Sequence, residues 1–515
     1  LSSLRGEQAW PIPAPKGGHV VFFSNTMGSY QLWIGKLRKG RLVGTRILAK
    51  GLRYRSAWSS KGLRWTSKGK SFYLLHKGQV VKIAVPSGKV RRISLQTTIE
   101  IDRQASYEQK FREVWRTLRD HFYDPKMSGQ DWKALYNRYL PAIKQVQTKE
   151  EWRDLMNEML GWLNASHLGV RTRRRKAAYR TGVLGVDLQI EGKRVKVTRL
   201  LERGPLSLAI RLWLLKQQKR KKQSKKTKAF ATFIKQPTSY RLYISKISRK
   251  KIRSGSNFYP LLRNKVGKRV RVKLSLEWDV STKDKQGKKI QKKQIRKTFY
   301  VKPTHRWAEV TLRYHAWVAE RKRLVTKWSR GRIGYLHMRG MGRSNLYKFI
   351  SDFETDVAPK KASLIDLRFN WGGNVHDSVL RYLSRRRYSY WQPRGMKRWS
   401  QPFHTAAGKP MAMLINERSL SDAEMTANGF KALRLGKLIG VGTYRWLIFT
   451  GSRRLFDGDS YRLPFWSCTT LQGKDLEKIG VPSDLYVRNT FADRLHNRDP
   501  QLKKAVQHLL KQLKK

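Results

Sequence analysis

The sequence predicts a multidomain α+β protein, and three observations carry that prediction. Aromatic-rich hairpin segments recur at a spacing of about fifty residues near the start. The hydrophobic period then changes to that of helices, and the last third alternates strand-like with helix-like runs. A chain of 515 residues has room for roughly three or four domains.

Residues 1–98 read as strands and tight turns. "HVVFFSNTMGSYQLWIGKL" (His19 to Leu37) is a strand, a glycine turn and a second strand, and "GKSFYLLHKGQVVKIAVPSGKVRRI" (Gly69 to Ile93) repeats the layout. Such repeats have the form of β-propeller blades. Two cannot close a ring, which takes about four or more blades, so either further blades precede them or they form a small sheet module.

Residues 99–172 are expected to be helical. Phe111, Val114, Trp115, Leu118 and Phe122 share one helical face, and Asp124-Pro125 ends the run. Thr148 with Glu151 forms a capping box ahead of a stripe of Trp152, Leu155, Met156, Met159, Leu160 and Leu163. That helix should end near Asn164, leaving "NASHLGV", with Ser166 and His167, on a loop.

Residues 173–303 return to strands, interrupted by the lysine-rich "KQQKRKKQSKKTK" (Lys216 to Lys228). That run reads as an exposed, mobile loop, with a polyanion-binding arm as the alternative. Residues 304–515 form an α/β domain, with strands in "RIGYLHM", "ASLIDLRF", "PMAMLIN" and "GKLIGVGTY". The chain closes on a helix capped by Asp499 and opened by Pro500, with Leu502, Ala505, Val506, Leu509 and Leu513 as its stripe.

Composition excludes several function classes. The 39% hydrophobic and 11% aromatic content is that of a globular chain. The single Cys468 excludes an intrachain disulfide framework and a cysteine-built zinc site. No metal-ligand cluster, Walker-type loop or complete dinucleotide fingerprint is present, and no cofactor is expected. No apolar run reaches bilayer length, and no secretory segment opens the sequence. The cytoplasm is expected ahead of the periplasm or secretion. With 112 Lys+Arg against 35 Asp+Glu the formal charge is +77, spread over every segment. Such a field favours acidic peptides and binds polyanions non-specifically at low salt.

Two places invite chemistry. In "LIDLRFNWGGNVHDSV" (Leu364 to Val379) a buried strand stops at Asn370, and Gly372 and Gly373 leave main-chain N–H groups open to an anion or oxyanion. In "INERSLSDAE" a strand gives way to a helix at Ser421, where free N–H groups and the dipole stabilise negative charge. Locally, Ser421 reads equally well as a helix cap followed by Asp422 and Glu424.

The order and spacing of "NASH", "IDLRFNWGG", "INERSLSDAE" and "LEKIGVPSD" resemble the tricorn branch of the C-terminal-processing serine peptidases. The resemblance covers about residues 105–175 and 260–515 and extends loosely to the blades. It implies a hydrolase of peptides or unfolded chains working through a Ser-His-Ser-Glu tetrad. Ser421 matches the nucleophile, His167 the general base, and Ser166 and Glu477 the pair that orients the imidazole. The backbone N–H groups of Gly373 and Asp422 match the oxyanion hole, with Gly372 beside the substrate. It also implies a PDZ-like domain at 173–303, with "GVLGV" as its carboxylate-cradling loop, and leaves a homo-oligomer open. Trp391 stands where tricorn enzymes carry an acidic specificity residue, so a preference for basic side chains does not carry over. Trp371, Leu447 and Ile448 replace glycines of the pattern. A peptide-binding relative with weak catalysis and a basic nucleic-acid binder remain the rival readings.

Overall fold

The computed structural model describes all residues except 1–3, 5, 50–62, 77–78, 95–97, 99, 173–178, 221–223, 237–238, 253–256, 285–286, 403–407 and 515. The chain divides into two compact units, Leu1–Asp102 and Arg103–Lys515.

The first unit holds two four-stranded antiparallel sheets, each formed by consecutive strands. One comprises Gln8–Pro13, His19–Ser24, Gln31–Arg38 and Arg41–Ala49. The other comprises Leu63–Trp65, Ser71–His76, Gln79–Ala84 and Val90–Ile93. Val21, Phe23, Leu32, Ile34, Phe72, Leu74, Val81 and Ile83 form their common core.

The second unit opens with the helices Arg103–His121, Trp132–Ile143 and Lys149–Gly161. Thr148 caps the third helix by accepting the Glu151 N–H, and Trp152, Met156, Met159 and Leu160 are buried as their spacing requires. Lys110 is fully buried on the first helix and donates to Asp457 at 2.9 Å and Asp459 at 3.1 Å. Both carboxylates lie on the turn between strands Phe449–Arg454 and Ser460–Trp466. The second of these strands pairs with Gly169–Arg171, just past His167. A buried ion pair and a short ladder therefore hold the Ser166-His167 loop against this hairpin.

The middle region is an antiparallel sheet of Val186–Glu191, Arg194–Leu200, Arg241–Ile247, Val270–Asp284 and Gly287–Val301, with Lys250–Lys251 at its side. Most of the lysine-rich run is helical rather than a loop, which corrects the sequence expectation: 216–219 close the helix Pro205–Lys219 and 225–228 open the helix Lys225–Lys235, with Arg220 and Ser224 as the flanking caps and 221–223 outside the described residues. Leu206, Ile210, Phe230 and Phe233 bury one face of this pair against the sheet, leaving the lysines to solvent. The high lysine density masked that helical stripe. In the "GVLGV" loop the Gly182 and Val183 amides already donate to the Leu262 and Thr304 carbonyls, so they are not free to cradle a carboxylate.

The last region is a parallel five-stranded sheet in the order Ile333–His337, Ala362–Asp366, Met411–Ile415, Lys437–Gly440, Leu485–Tyr486. Alternate residues face opposite sides. Ile365, Met413 and Leu438 pack with Phe349, Val379 and Phe430, whereas Leu364, Leu414 and Ile439 pack with Val325, Leu502, Val506 and Leu509. Helices cover both faces, which is why these strands read as continuous apolar runs. Burying each leucine-sized side chain there contributes about 1.5–3 kcal/mol. Strand pairing stops at Asp366 rather than at Asn370. The Asp366 carboxylate accepts the Arg368 backbone N–H at 3.0 Å and its guanidinium at 2.7 Å, turning the chain out of the sheet. Asp499 grips the same guanidinium at 2.8 Å while capping the final helix, as expected of its sequence.

Candidate active site

Ser421 sits between the strand Met411–Ile415 and the helix Asp422–Ala432, at φ 53° and ψ −115°. Positive φ is uncommon for a serine, and such strain persists only where neighbours over-determine it. Here the neighbour is Glu424. Its fully buried carboxylate accepts the N–H groups of Ser421 (2.9 Å), Trp446 (2.9 Å) and Arg445 (2.8 Å) and the Thr443 hydroxyl (2.6 Å). Burial raises this carboxyl above the ordinary range, although all four donors pull it down. The Glu424 N–H goes to the Ser421 carbonyl, and the serine hydroxyl makes no capping bond. The cap reading of Ser421 thus holds only for the glutamate's half of the motif.

The glycine turn packs directly on Ser421. A Cβ at Gly372 (φ +76°) would lie 2.8 Å from the Ser421 Cβ, and one at Gly373 would lie 2.1 Å from the Met341 carbonyl oxygen. The Asp422 carboxylate accepts the Val375 N–H at 2.6 Å, the His376 N–H at 3.1 Å and the His376 Nδ1–H at 2.5 Å. That hydrogen bond raises the His376 imidazole above its ordinary range. Asp422 therefore staples the glycine turn to its own helix terminus, while the Gly373 and Asp422 amides pair with no acceptor among the described residues. Trp371 does not fill this space. It is 61% exposed, and the Arg339 guanidinium lies 4.3 Å from its ring centre.

Ser166 and Glu477 meet as the sequence pattern suggests. Glu477 accepts the Ser166 N–H at 2.7 Å, its hydroxyl at 3.1 Å, and the Leu447 N–H at 2.7 Å. Burial raises the Glu477 carboxyl, and the nearby Glu424 charge adds to the effect. Leu447 and Ile448 are buried, and Leu447 joins the core that holds Ile365, Met413 and Leu438. His167, at φ 58°, stacks on Trp446 with ring centres 4.7 Å apart and 19° between planes. Its Nε2 bonds the Trp446 carbonyl at 3.2 Å, and its buried Nδ1 has no hydrogen-bond partner. Burial, together with the charges of Arg462 and Arg171, lowers the imidazole to about 4 against the pull of the Trp446 carbonyl.

The structure thus assembles two halves rather than one continuous hydrogen-bonded chain. One is Ser421 with the glycine turn, and the other is His167 with Ser166 and Glu477. Among the described residues no bond joins the Ser421 hydroxyl to His167 or the Ser166 hydroxyl to the imidazole. What links the halves is the strap Thr443–Leu447, held by Glu424 at one end and Glu477 at the other. Sequence reasoning saw Glu424 only as a first-turn acid and did not single out Trp446. The Ser-x-x-Glu spacing was the available signal for the former, and nothing local marked the latter. A cavity of about 1260 Å³ borders Ser166, Trp446 and Glu477 and is lined also by Tyr123, Asn157 and Trp162, but not by Ser421 or His167. Trp391 sits on a two-stranded hairpin opposite Trp399 and is 64% exposed.

Among the described residues no helix is long and apolar enough to cross a membrane, and no cluster of potential metal ligands occurs. Two family models match the chain, the tricorn protease C1 domain at residues 103–161 and peptidase family S41 at residues 332–487. Tricorn protease homolog 1 of Streptomyces coelicolor is 30% identical over 430 residues, covering 82% of this chain and 36% of the relative. The tricorn protease of Thermoplasma acidophilum is 27% identical over 455 residues, 85% of this chain and 39% of the relative. The chain therefore spans little more than a third of these relatives. The crystal structure of the tricorn protease superposes with a TM-score of 0.74 at 21% identity, over 99% of this chain and 47% of that one. Motif order, fold and these matches agree: the chain is homologous to the tricorn protease and to members of peptidase family S41.

Proposed function

We propose that the chain is a serine peptidase that cleaves peptides or unfolded chains through Ser421. The observation that carries this reading is a strained serine at a helix N-terminus, packed on a glycine turn, with the Gly373 and Asp422 amides unpaired beside it. The Ser421 oxygen adds to the scissile carbonyl carbon as its proton passes to His167. The carbonyl electron pair moves onto oxygen, where the two amides receive it. Collapse breaks the C–N bond and returns the proton to the leaving amine; water then repeats the sequence on the acyl ester and restores the serine. The base contributes roughly 100- to 10,000-fold and each oxyanion donor roughly 100- to 1,000-fold. Ser166 and Glu477 hold the histidine loop in register. The two N-terminal sheets serve as propeller blades, and the 173–303 region as a PDZ-like module whose committed loop amides argue against chain-end capture. The +77 charge and the exposed Trp391 favour acidic or neutral substrates over basic ones, most strongly at low salt.

A fluorophosphonate probe tests the assignment. It should label Ser421 alone, and His167→Ala should slow labelling far more than Glu477→Gln. Labelling that survives Ser421→Ala would remove the nucleophile from the scheme.

A further inference from the structure

We infer that His376 is a positioning residue for the oxyanion hole: with the Asp422 carboxylate it clamps the glycine turn to the start of the nucleophile helix. This rests on the peptidase reading, but one of its tests does not. The turn is held from two sides. On one, the Met341 N–H donates to the Gly372 carbonyl and the Asn374 N–H to the Met341 carbonyl, each at 2.8 Å. In a trans peptide the N–H points opposite to the C=O, so the Gly373 N–H is turned away from Met341. That anchor is main chain only, and its formation needs no particular side chain.

The second anchor depends on side chains. Asp422 is the first residue of its helix, and its buried carboxylate crosses to the start of the helix His376–Leu383, which lacks a side-chain cap of its own. There it accepts the Val375 N–H at 2.6 Å, the His376 N–H at 3.1 Å and the His376 Nδ1–H at 2.5 Å. One residue thus carries an oxyanion amide on its backbone and the anchor of the opposing turn on its side chain. A carboxylate there opposes a developing oxyanion, and an imidazolium bonded to it offsets the opposition. The charged groups that bear on the imidazole are Asp422 and, on its own helix, Asp377, whose Oδ1 lies 3.6 Å from Nε2. The Asp422 bond raises the imidazole above its ordinary value against the effect of burial. The positive charge therefore outlasts that of an ordinary histidine and is lost as pH rises through the raised value. The proton leaves from Nε2, so the Nδ1–H bond survives the change. Position is kept and charge is not.

Histidine C2-hydrogen exchange followed by mass spectrometry reads the His376 titration in the intact chain. It should lie above the ordinary value of about 6.5 and fall back toward it in Asp422→Asn. An ordinary titration in wild type would overturn the clamp. A second arm follows peptide turnover. His376→Ala should lose roughly ten-fold in kcat with little change in KM while circular dichroism stays native. His376→Asn, whose Nδ2–H group reaches the same carboxylate, should recover most of that loss at alkaline pH. Wild type should decline roughly three-fold in kcat as pH rises through the His376 titration, and the asparagine variant should show no such limb. An alanine variant as fast as wild type would refute the positioning role, as would no limb in wild type or the same limb in both. A His376 that titrates high in a chain that never labels leaves the clamp standing and removes its oxyanion role together with the peptidase reading.

Discussion

Replacing Glu424 by glutamine probes the bond network beneath Ser421 with almost no change in shape. The carboxylate receives four donors, two on each oxygen: Ser421 and Trp446 on one, Thr443 and Arg445 on the other. Glutamine offers a single oxygen. The less costly orientation keeps that oxygen on Ser421 and Trp446 and turns the NH₂ toward Thr443 and Arg445. The Thr443 hydroxyl can rotate to accept, since it is an acceptor already for the Val481 N–H at 2.9 Å. The Arg445 amide cannot, and a buried orphan of that kind costs about 1–3 kcal/mol. Losing a buried charge gives some of this back, while the surviving bonds weaken by losing their charge assistance. A net loss of about 1–3 kcal/mol is therefore expected for glutamine, and considerably more for alanine, which orphans all four donors. Urea unfolding followed by tryptophan fluorescence reads the stability, and hydrogen exchange reads the Arg445 amide directly. Probe labelling should slow as well, because the Ser421 backbone loses its tether. Wild-type midpoint and unchanged protection at Arg445 in Glu424→Gln would show that the four-donor cluster does not form in solution.

Three further outcomes are expected. Gly372→Ala, at φ +76° with a Cβ 2.8 Å from that of Ser421, should abolish labelling while circular dichroism stays native; normal labelling would mean the turn does not press on the serine. Lys110→Met removes the buried cation shared by Asp457 and Asp459 and should cost about 3–5 kcal/mol, tempered by Lys149 at 3.1 Å from Asp457 and 3.9 Å from Asp459, with Lys110→Arg recovering part; an unchanged denaturation midpoint would contradict the buried pair. His167 is lowered to about 4 mainly by burial, so it stays neutral and able to accept a proton as pH falls through the usual histidine range. The labelling rate should hold down to about pH 5 and decline only near pH 4, and an inflection near 6.5 would show a solvated imidazole.

Much of this molecule follows from local chemistry that a single sequence displays. The helical stripe of Trp152, Met156 and Met159, the Thr148 cap, the doubly covered strands around Leu364 and Met413, and the Asp499-Pro500 helix start all depend on neighbours within a few residues. Periodicity and capping report such neighbours directly. The lysine-rich run was misread for the complementary reason. It carries no apolar side chain of its own, and Ile210 before it and Phe230 and Phe233 after it signal helices only once a sheet is present to receive them. The site shows the same division. Ser421, the glycine turn, Ser166-His167 and Glu477 stand out by residue type and order, but their partners are set by long-range contacts. Glu424 finds Trp446 across the loop after the next strand, Glu477 finds Ser166 across most of the second unit, and Lys110 finds Asp459 in the same way. A hydrogen bond depends on distances of a few tenths of an ångström, and sequence order does not encode those between remote segments. The tertiary structure alone decided which carbonyl the His167 imidazole meets and which indole it stacks on.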